Sequence, residues 1–192
     1  MRLNICIDID GTITNPYCWL DALNKHFNKK VKPKDVTEYE IHKVLNIARK
    51  DYLKFYDVYG EKLHLNATAR KNVKEVLEKL NEKHNISYVT ARPKRMEDVT
   101  RMWFENKNLP MTEVYLLGSH FKVKKAMELN CDIFIEDRYE NALQLALKGF
   151  KVLLIHCNYN RYPLISGMTR VFNWDDIYTE ISKYYYERQS IA

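Results

Sequence analysis

The chain has 192 residues, and its 31 Lys+Arg against 25 Asp+Glu give a formal net charge of +6. That length accommodates one ordinary domain or one domain with a modest insertion. With 46% apolar and 12% aromatic residues the composition excludes a disordered chain. No run approaches the roughly 18 apolar residues of a membrane span.

The predicted elements alternate. The first strand is Leu3–Ile9, and later apolar runs of strand length are Ile86–Val89, Val114–Leu117, Ile133–Ile135, Val152–Ile155 and Val171-Phe172. These runs are nearly continuous in Ile, Val and Leu, as in strands covered on both faces. Helical patterns lie between them: Ala69–His84, with Val73, Val76, Leu77 and Leu80 on one stripe, then Glu97–Asn106, Lys124–Leu129 and Asn141–Lys148. A terminal helix is predicted over Ile177–Tyr185 with Asp175 as its N-cap. The alternation implies an α/β fold, a Rossmann-like parallel sheet with helices on both faces.

Asn15–Asn66 breaks the pattern. Trp19–Phe27, Val36–Leu45 and Asp51–Tyr59 read as helices, punctuated by Pro16 and Pro33. A structureless loop of that length is improbable in a compact domain, so a helical insertion after the first strand is expected. The division is 1–14 and 67–192 for the α/β core and 15–66 for the insertion. Cys6, Cys18, Cys131 and Cys157 are far apart and form no C-x-x-C pair, which fits reduced thiols in a cytoplasmic protein. Met1-Arg2-Leu3-Asn4-Ile5 shows no basic region followed by a long apolar stretch, so no signal peptide is expected.

Chemistry concentrates where strands end. The first strand runs into Asp8-Ile9-Asp10-Gly11-Thr12. Two carboxylates at spacing two on a strand end need a cation or a proton to offset their repulsion. An Asp-Gly turn is the bland alternative. Asp132-Ile133-Phe134-Ile135-Glu136-Asp137 repeats the arrangement, and capping of the next helix by Asp137 or Asn141 is its alternative. An all-oxygen donor set suits Mg²⁺ rather than zinc. Thr90, in Tyr88-Val89-Thr90-Ala91-Arg92-Pro93, ends a strand where a hydroxyl and backbone N–H groups can hold phosphate. Lys122 precedes the fourth strand, with Lys124 and Lys125 as rivals within one turn. Tyr52, Phe55, Tyr56 and Tyr59 fall on one helical stripe that either packs a small core or presents rings to a base, and Tyr17 and Trp19, nearer the start of the insertion, are further candidates to stack on a base.

Asp8-Ile9-Asp10-Gly11-Thr12, Thr90, Lys122 and Glu136-Asp137 resemble, in order, the four motifs of the haloacid dehalogenase (HAD) superfamily. The insertion looks like that superfamily's type 1 cap. Val36-Thr37-Glu38-Tyr39-Glu40, Val89-Thr90-Ala91-Arg92, Glu136-Asp137-Arg138, Cys157-Asn158-Tyr159-Asn160-Arg161 and Arg170-Val171-Phe172-Asn173-Trp174 are similar to the 5′(3′)-deoxyribonucleotidases. The resemblance implies a phosphatase that works through an aspartyl-phosphate. Asp8 would be the nucleophile and Asp10 the general acid and base. Thr90 and Lys122 would hold the transferring oxygens. Asp8, the Asp10 backbone carbonyl and Asp137 would bind Mg²⁺, with Glu136 behind them or as an alternative ligand. Gly11, Ala91, Arg92, Tyr17 and Trp19 are candidates for phosphate or substrate contacts.

The expected partner is a small phosphorylated substrate, a nucleoside monophosphate. Another phosphomonoester, a nucleic-acid end, or a binding module without turnover are the competing expectations. The basic excess is spread along the chain rather than gathered in one arm, so no dedicated nucleic-acid-binding element is expected.

Overall fold

A computed structural model describes residues 2–190. Six strands form one parallel sheet: β1 (Asn4–Ile7), β2 (Asn85–Thr90), β3 (Glu113–Leu116), β4 (Ile133–Glu136), β5 (Lys151–Ile155) and β6 (Met168–Val171). Their spatial order is β3-β2-β1-β4-β5-β6, so β1 is central. Ile5 pairs with Ile86 of β2 and Ile133 of β4, and Ile7 with Tyr88 and Ile135.

Both faces of the sheet are covered, as the continuous apolar runs require. On one face Ile5, Ile7, Ile133, Ile135 and Leu153 pack against α4 (Val73–Lys83), α5 (Glu97–Asn106) and α8 (Trp174–Gln189) through Leu77, Trp103, Trp174 and Ile177. On the other, Cys6, Val89, Phe134, Val152 and Leu154 pack against α6 (Val123–Glu128) and α7 (Tyr139–Leu147) through Val123, Ala126 and Leu145. Successive residues of β1 thus serve opposite cores, the period-two consequence of strand geometry.

Several boundaries differ from the sequence expectations. The last strand lies on Met168–Val171 rather than Val171-Phe172, and Phe172 is exposed. The N-cap of α8 is Asn173, not Asp175: Asn173 Oδ1 accepts from Asp176 N at 2.9 Å. Asp175 instead accepts from Asn72 Nδ2 at 2.7 Å.

Between β1 and α4 lie α1 (Leu20–Phe27), α2 (Ile41–Val44) and α3 (Arg49–Leu65). The helix expected over Val36–Leu45 is reduced to the single turn of α2. Pro33–Asp35 form a separate 3-10 turn, closed by Lys32 N donating to Asp35 Oδ2 at 2.9 Å. Val36 then drops into a cluster with Leu20, Cys157 and Tyr159. α3 outruns its predicted Asp51–Tyr59 because Gly60 does not end it. A β-carbon there would lie 3.1 Å from Met96 Cε, so Gly60 serves close packing against the neighbouring segment.

Leu23, Leu45 and Phe55 form a further cluster inside the inserted segment. The chain leaves and rejoins the α/β layers through adjacent backbones. Thr14 and Ala69 form an antiparallel bridge, Asn15 N donates to Thr68 O at 2.7 Å, and Arg70 N donates to Ile13 O at 2.8 Å.

Candidate active site

Because β2, β1 and β4 are neighbours, their C-terminal ends converge at one place. Ligands in open parallel sheets bind at such ends. Asp8 follows β1 and is tied to β4 by its N–H, which donates to Ile135 O at 3.0 Å. Thr90 closes β2, Glu136 closes β4, and Asp137 comes next. All four are buried. Of the three lysines, only Lys122 is inside. Its ammonium donates to Asp8 Oδ1 and, at 3.2 Å, to Glu136 Oε1. Lys124 is exposed, and Lys125 pairs with Glu128 on the surface side.

Asp8, Glu136 and Asp137 each offer a carboxylate oxygen, all within 4.8 Å of one another. Three buried acids face one buried ammonium, and the imbalance is visible in their proton affinities. Burial, with the charges of Glu136 and Asp10, pushes the Asp8 carboxyl up to about 7 despite Lys122. Burial and the Asp8 charge push Asp137 up to about 7 as well. Burial alone would lower the Lys122 ammonium, but Asp8 and Glu136 outweigh it and hold it above its ordinary range. Glu136 is further held by Asn141 Nδ2 and by the backbone N–H of Asp137 at 3.2 Å. Asp137 is fixed by two hydroxyl donors, Tyr159 Oη to Oδ2 and, at 3.3 Å, Thr12 Oγ1 to Oδ1.

Asp10 lies apart from this cluster. Arg92 donates to both of its oxygens, from Nε at 2.8 Å and from the terminal nitrogen at 2.6 Å. Arg92's other arm donates to Thr100 Oγ1 at 2.9 Å. His64, in the last turn of α3, places Nδ1 3.5 Å from Asp10 Oδ1, while its Nε2 meets Tyr56 Oη at 2.8 Å. Burial would raise the Asp10 carboxyl, but the Arg92 and His64 partners hold it below the usual carboxylate range.

Two candidate phosphate contacts have partners within the chain. The Gly11 N–H, expected as a phosphate donor, donates to Thr14 Oγ1 at 2.9 Å and closes the turn instead. The Gly11 carbonyl accepts twice from Arg70, at 2.9 and 2.7 Å. Arg92, expected beside phosphate, spends its guanidinium on Asp10 and Thr100. Its backbone N–H donates to Thr90 Oγ1 at 3.2 Å.

A cleft of ≈ 450 Å³ opens above these groups, between the strand ends and the inserted helices. Ala91 lines it beside Thr90, and Tyr17, Trp19, Tyr52 and Tyr56 face it from the opposite side. The aromatic stripe of α3 therefore divides: Phe55 packs with Phe27, 5.5 Å between centroids, whereas Tyr52 and Tyr56 line the cleft. Trp19 stands edge-on to His64 at 4.9 Å, and Tyr17 Oη accepts from Asn158 N at 2.8 Å. His64, Arg70 and the Tyr159 hydroxyl were not picked out as site residues by the sequence. Tyr159 was visible only as part of a family-like run.

Comparison with known proteins finds nucleotidase relatives and solved hydrolases of similar fold. The model of the family "5′ nucleotidase, deoxy (Pyrimidine), cytosolic type C protein" matches residues 2–185. The nucleotidase CA_C3379 of Clostridium acetobutylicum is 45% identical over 190 residues, covering 99% of each chain. Among solved structures, the haloacid dehalogenase-like hydrolase SP0104 of Streptococcus pneumoniae superposes with a TM-score of 0.70 at 14% identity, covering 96% of this chain and 98% of its own. The HAD-hydrolase YfnB of Bacillus subtilis, determined bound to magnesium, superposes at 0.63 with 12% identity, covering 95% and 100%. No helix among the described residues is long and apolar enough to cross a membrane.

Proposed function

The chain belongs to the cytosolic type C 5′-nucleotidase family and is a phosphoric monoester hydrolase of that type; from that premise we propose that it hydrolyses nucleoside (deoxy)monophosphates, with Mg²⁺, through an aspartyl-phosphate on Asp8. The observation that carries the proposal is the Lys122 ammonium placed between Asp8 and Glu136, with Asp10 turned to a different partner.

The donor set fits Mg²⁺. The clustered groups are hard oxygens with an excess of buried negative charge, and two of them are forced toward protonation without a cation. Asp8, the Asp10 carbonyl and Asp137 would hold the ion. Glu136, whose oxygens are occupied by Lys122 and Asn141, supports the lysine. When bound, the ion would neutralise charge on the phosphoryl group and admit an anionic nucleophile to an anionic substrate.

The chain's own residues divide the remaining work. An Asp8 oxygen attacks phosphorus as the ester oxygen departs; the arriving phosphate's negative charge favours a protonated Asp10 against the pull of Arg92, and Asp10 gives that proton to the departing oxygen. Water then attacks the same phosphorus, Asp10 takes its proton, and the bond to Asp8 breaks. Lys122 and the Thr90 hydroxyl steady the transferring oxygens. The inserted segment, residues 15–66, acts as a cap whose Tyr17, Trp19, Tyr52 and Tyr56 enclose the nucleoside.

Phosphate release from nucleoside monophosphates, a sugar phosphate and a 5′-phosphorylated oligonucleotide, with and without Mg²⁺, tests the reading. Mononucleotides are expected to be preferred and Mg²⁺ required. Asp8→Asn is expected to abolish turnover while leaving the fold intact; a fully active Asp8→Asn protein overturns the assignment.

A further inference from the structure

Asp10 is the one acid at the strand ends that takes no part in the Asp8, Glu136 and Asp137 group. It follows Asp8 by two residues and lines the same cleft. A carboxylate in that position is drawn to any divalent cation its neighbours hold, and a carboxylate bound to metal is no longer free to move protons. Something must keep it out. Among the described residues, the only strong donors to its side chain belong to Arg92, which engages both oxygens in a fork at 2.8 and 2.6 Å.

The fork cannot wander. The Arg92 side chain is 1% exposed. Its second arm donates to Thr100 Oγ1, and that hydroxyl donates in turn to Met96 O at 2.6 Å. The guanidinium plane is thus fixed from α5. His64 approaches the same carboxylate, its Nδ1 3.5 Å from Oδ1 and without a hydrogen-bond partner among the described residues. Asp10 is therefore located by a core arginine and bounded by a residue of the inserted helices, at the seam where a leaving group must sit.

We propose that Arg92 is a positioning residue for Asp10: it holds the carboxylate out of the metal's reach and presents it to the leaving oxygen, rather than binding the substrate's phosphate. A planar fork is required for this, because it fixes both oxygens and hence the carboxylate plane; a lysine offers only a point charge. The proposal rests on the phosphatase reading given above and adds a specific role to it.

The experiment compares a nucleoside monophosphate with p-nitrophenyl phosphate. The first has a poor leaving group that needs a proton, whereas nitrophenolate departs without one. In Arg92→Met, kcat/KM for the nucleotide is expected to fall by roughly 10²–10⁴, the scale of general acid catalysis. For the aryl phosphate it is expected to fall less than about tenfold. Arg92→Lys should recover part of the nucleotide loss, and Thr100→Val, which frees the fork, should reproduce it in weaker form. Calorimetry with Mg²⁺ alone supplies a second readout. Arg92→Met is expected to bind the ion about 3–30-fold more tightly, as an added carboxylate ligand would, and the Arg92→Met/Asp10→Asn double variant should return to the parent value.

A rise in KM alone, an equal fall on both substrates, or parental Mg²⁺ affinity in Arg92→Met overturns the proposal. Circular dichroism of each variant separates loss of fold, in which case Arg92→Lys and Thr100→Val decide. Activity surviving in Asp8→Asn would instead overturn the phosphatase reading, whatever Arg92 does.

Discussion

Gly11 and Asp137 approach so closely that a β-carbon on Gly11 would collide with the Asp137 carboxylate. The same carbon would lie 2.8 Å from Tyr159 Oη, and Gly11 has φ +83°, where other residues are strained. Gly11→Ala is therefore expected to displace Asp137 as well as strain the turn. Activity should fall at least about 100-fold, and stability by about 1–3 kcal/mol. Urea unfolding beside a phosphate-release assay checks both, and a parental midpoint would show that the loop relaxes freely.

Tyr159 donates its hydroxyl to Asp137 Oδ2. Removing only its hydroxyl leaves the buried ring packed against Tyr17 and Tyr39, with centroids at 6.5 and 5.6 Å. Tyr159→Phe is expected to keep its melting temperature within a few degrees. Its Mg²⁺ affinity should weaken by about 10–100-fold, the usual cost of losing a group that orients a metal ligand. Titration calorimetry measures this directly; unchanged affinity would remove Tyr159 from the ion's surroundings.

Asp8 and Asp137 carry raised proton affinities, both up to about 7, chiefly through burial. Without metal, these two carboxyls hold more protons in the folded than in the unfolded chain between about pH 4 and pH 7. Their contribution to stability falls across that window as pH rises and levels off above it, opposed by His64, His84, His120 and His156, whose proton affinities are lowered by burial. A divalent cation replaces those protons, so its stabilising effect should grow in the same window. The Mg²⁺-induced rise in Tm is expected to be several degrees larger at about pH 8 than at about pH 5.5, since about 1 kcal/mol moves Tm by roughly 2–4 °C at this chain length. Equal shifts at both pH values would contradict the buried-charge imbalance.

Trp19 and Tyr52 line the cleft from the side opposite the strand ends. If they enclose the nucleoside, truncating them costs binding of the leaving group and not phosphoryl transfer. Trp19→Ala and Tyr52→Leu are each expected to raise KM for a nucleoside monophosphate by about 5–100-fold, the scale of aromatic stacking on a base. Values for p-nitrophenyl phosphate should move far less. Parallel losses on both substrates would assign these rings to packing.

Much of this was legible from the chain alone because it is local. Asp8, Thr90, Glu136 and Asp137 stand at the ends of apolar runs, and strand ends are where open parallel sheets place their ligands. The sheet followed from runs too continuous for one-sided burial. What escaped depends on tertiary approach. Arg92 meets Asp10 across 82 residues, Arg70 meets Gly11 across 59, and Tyr159 meets Asp137 across 22. No periodicity marks such pairs. Lys122 could not be told from Lys124 and Lys125 until the turn before α6 showed which ammonium points inward. The helix over Val36–Leu45 failed for a related reason: Pro33 and the buried Val36 impose an irregular path that helical spacing conceals.

The two backbones that join the inserted helices to the sheet run side by side, bridged at Thr14 and Ala69. A segment whose ends already touch can be exchanged without moving either end. On the proposed reading the sheet with its acids is a socket, and the inserted helices within residues 15–66 are the plug that decides which leaving groups fit. On that reading, replacing the plug with one of different length is a route to new substrates, provided the graft supplies a group in place of His64 beside Asp10 and the sheet keeps Arg70, whose guanidinium grips the Gly11 carbonyl beside the seam.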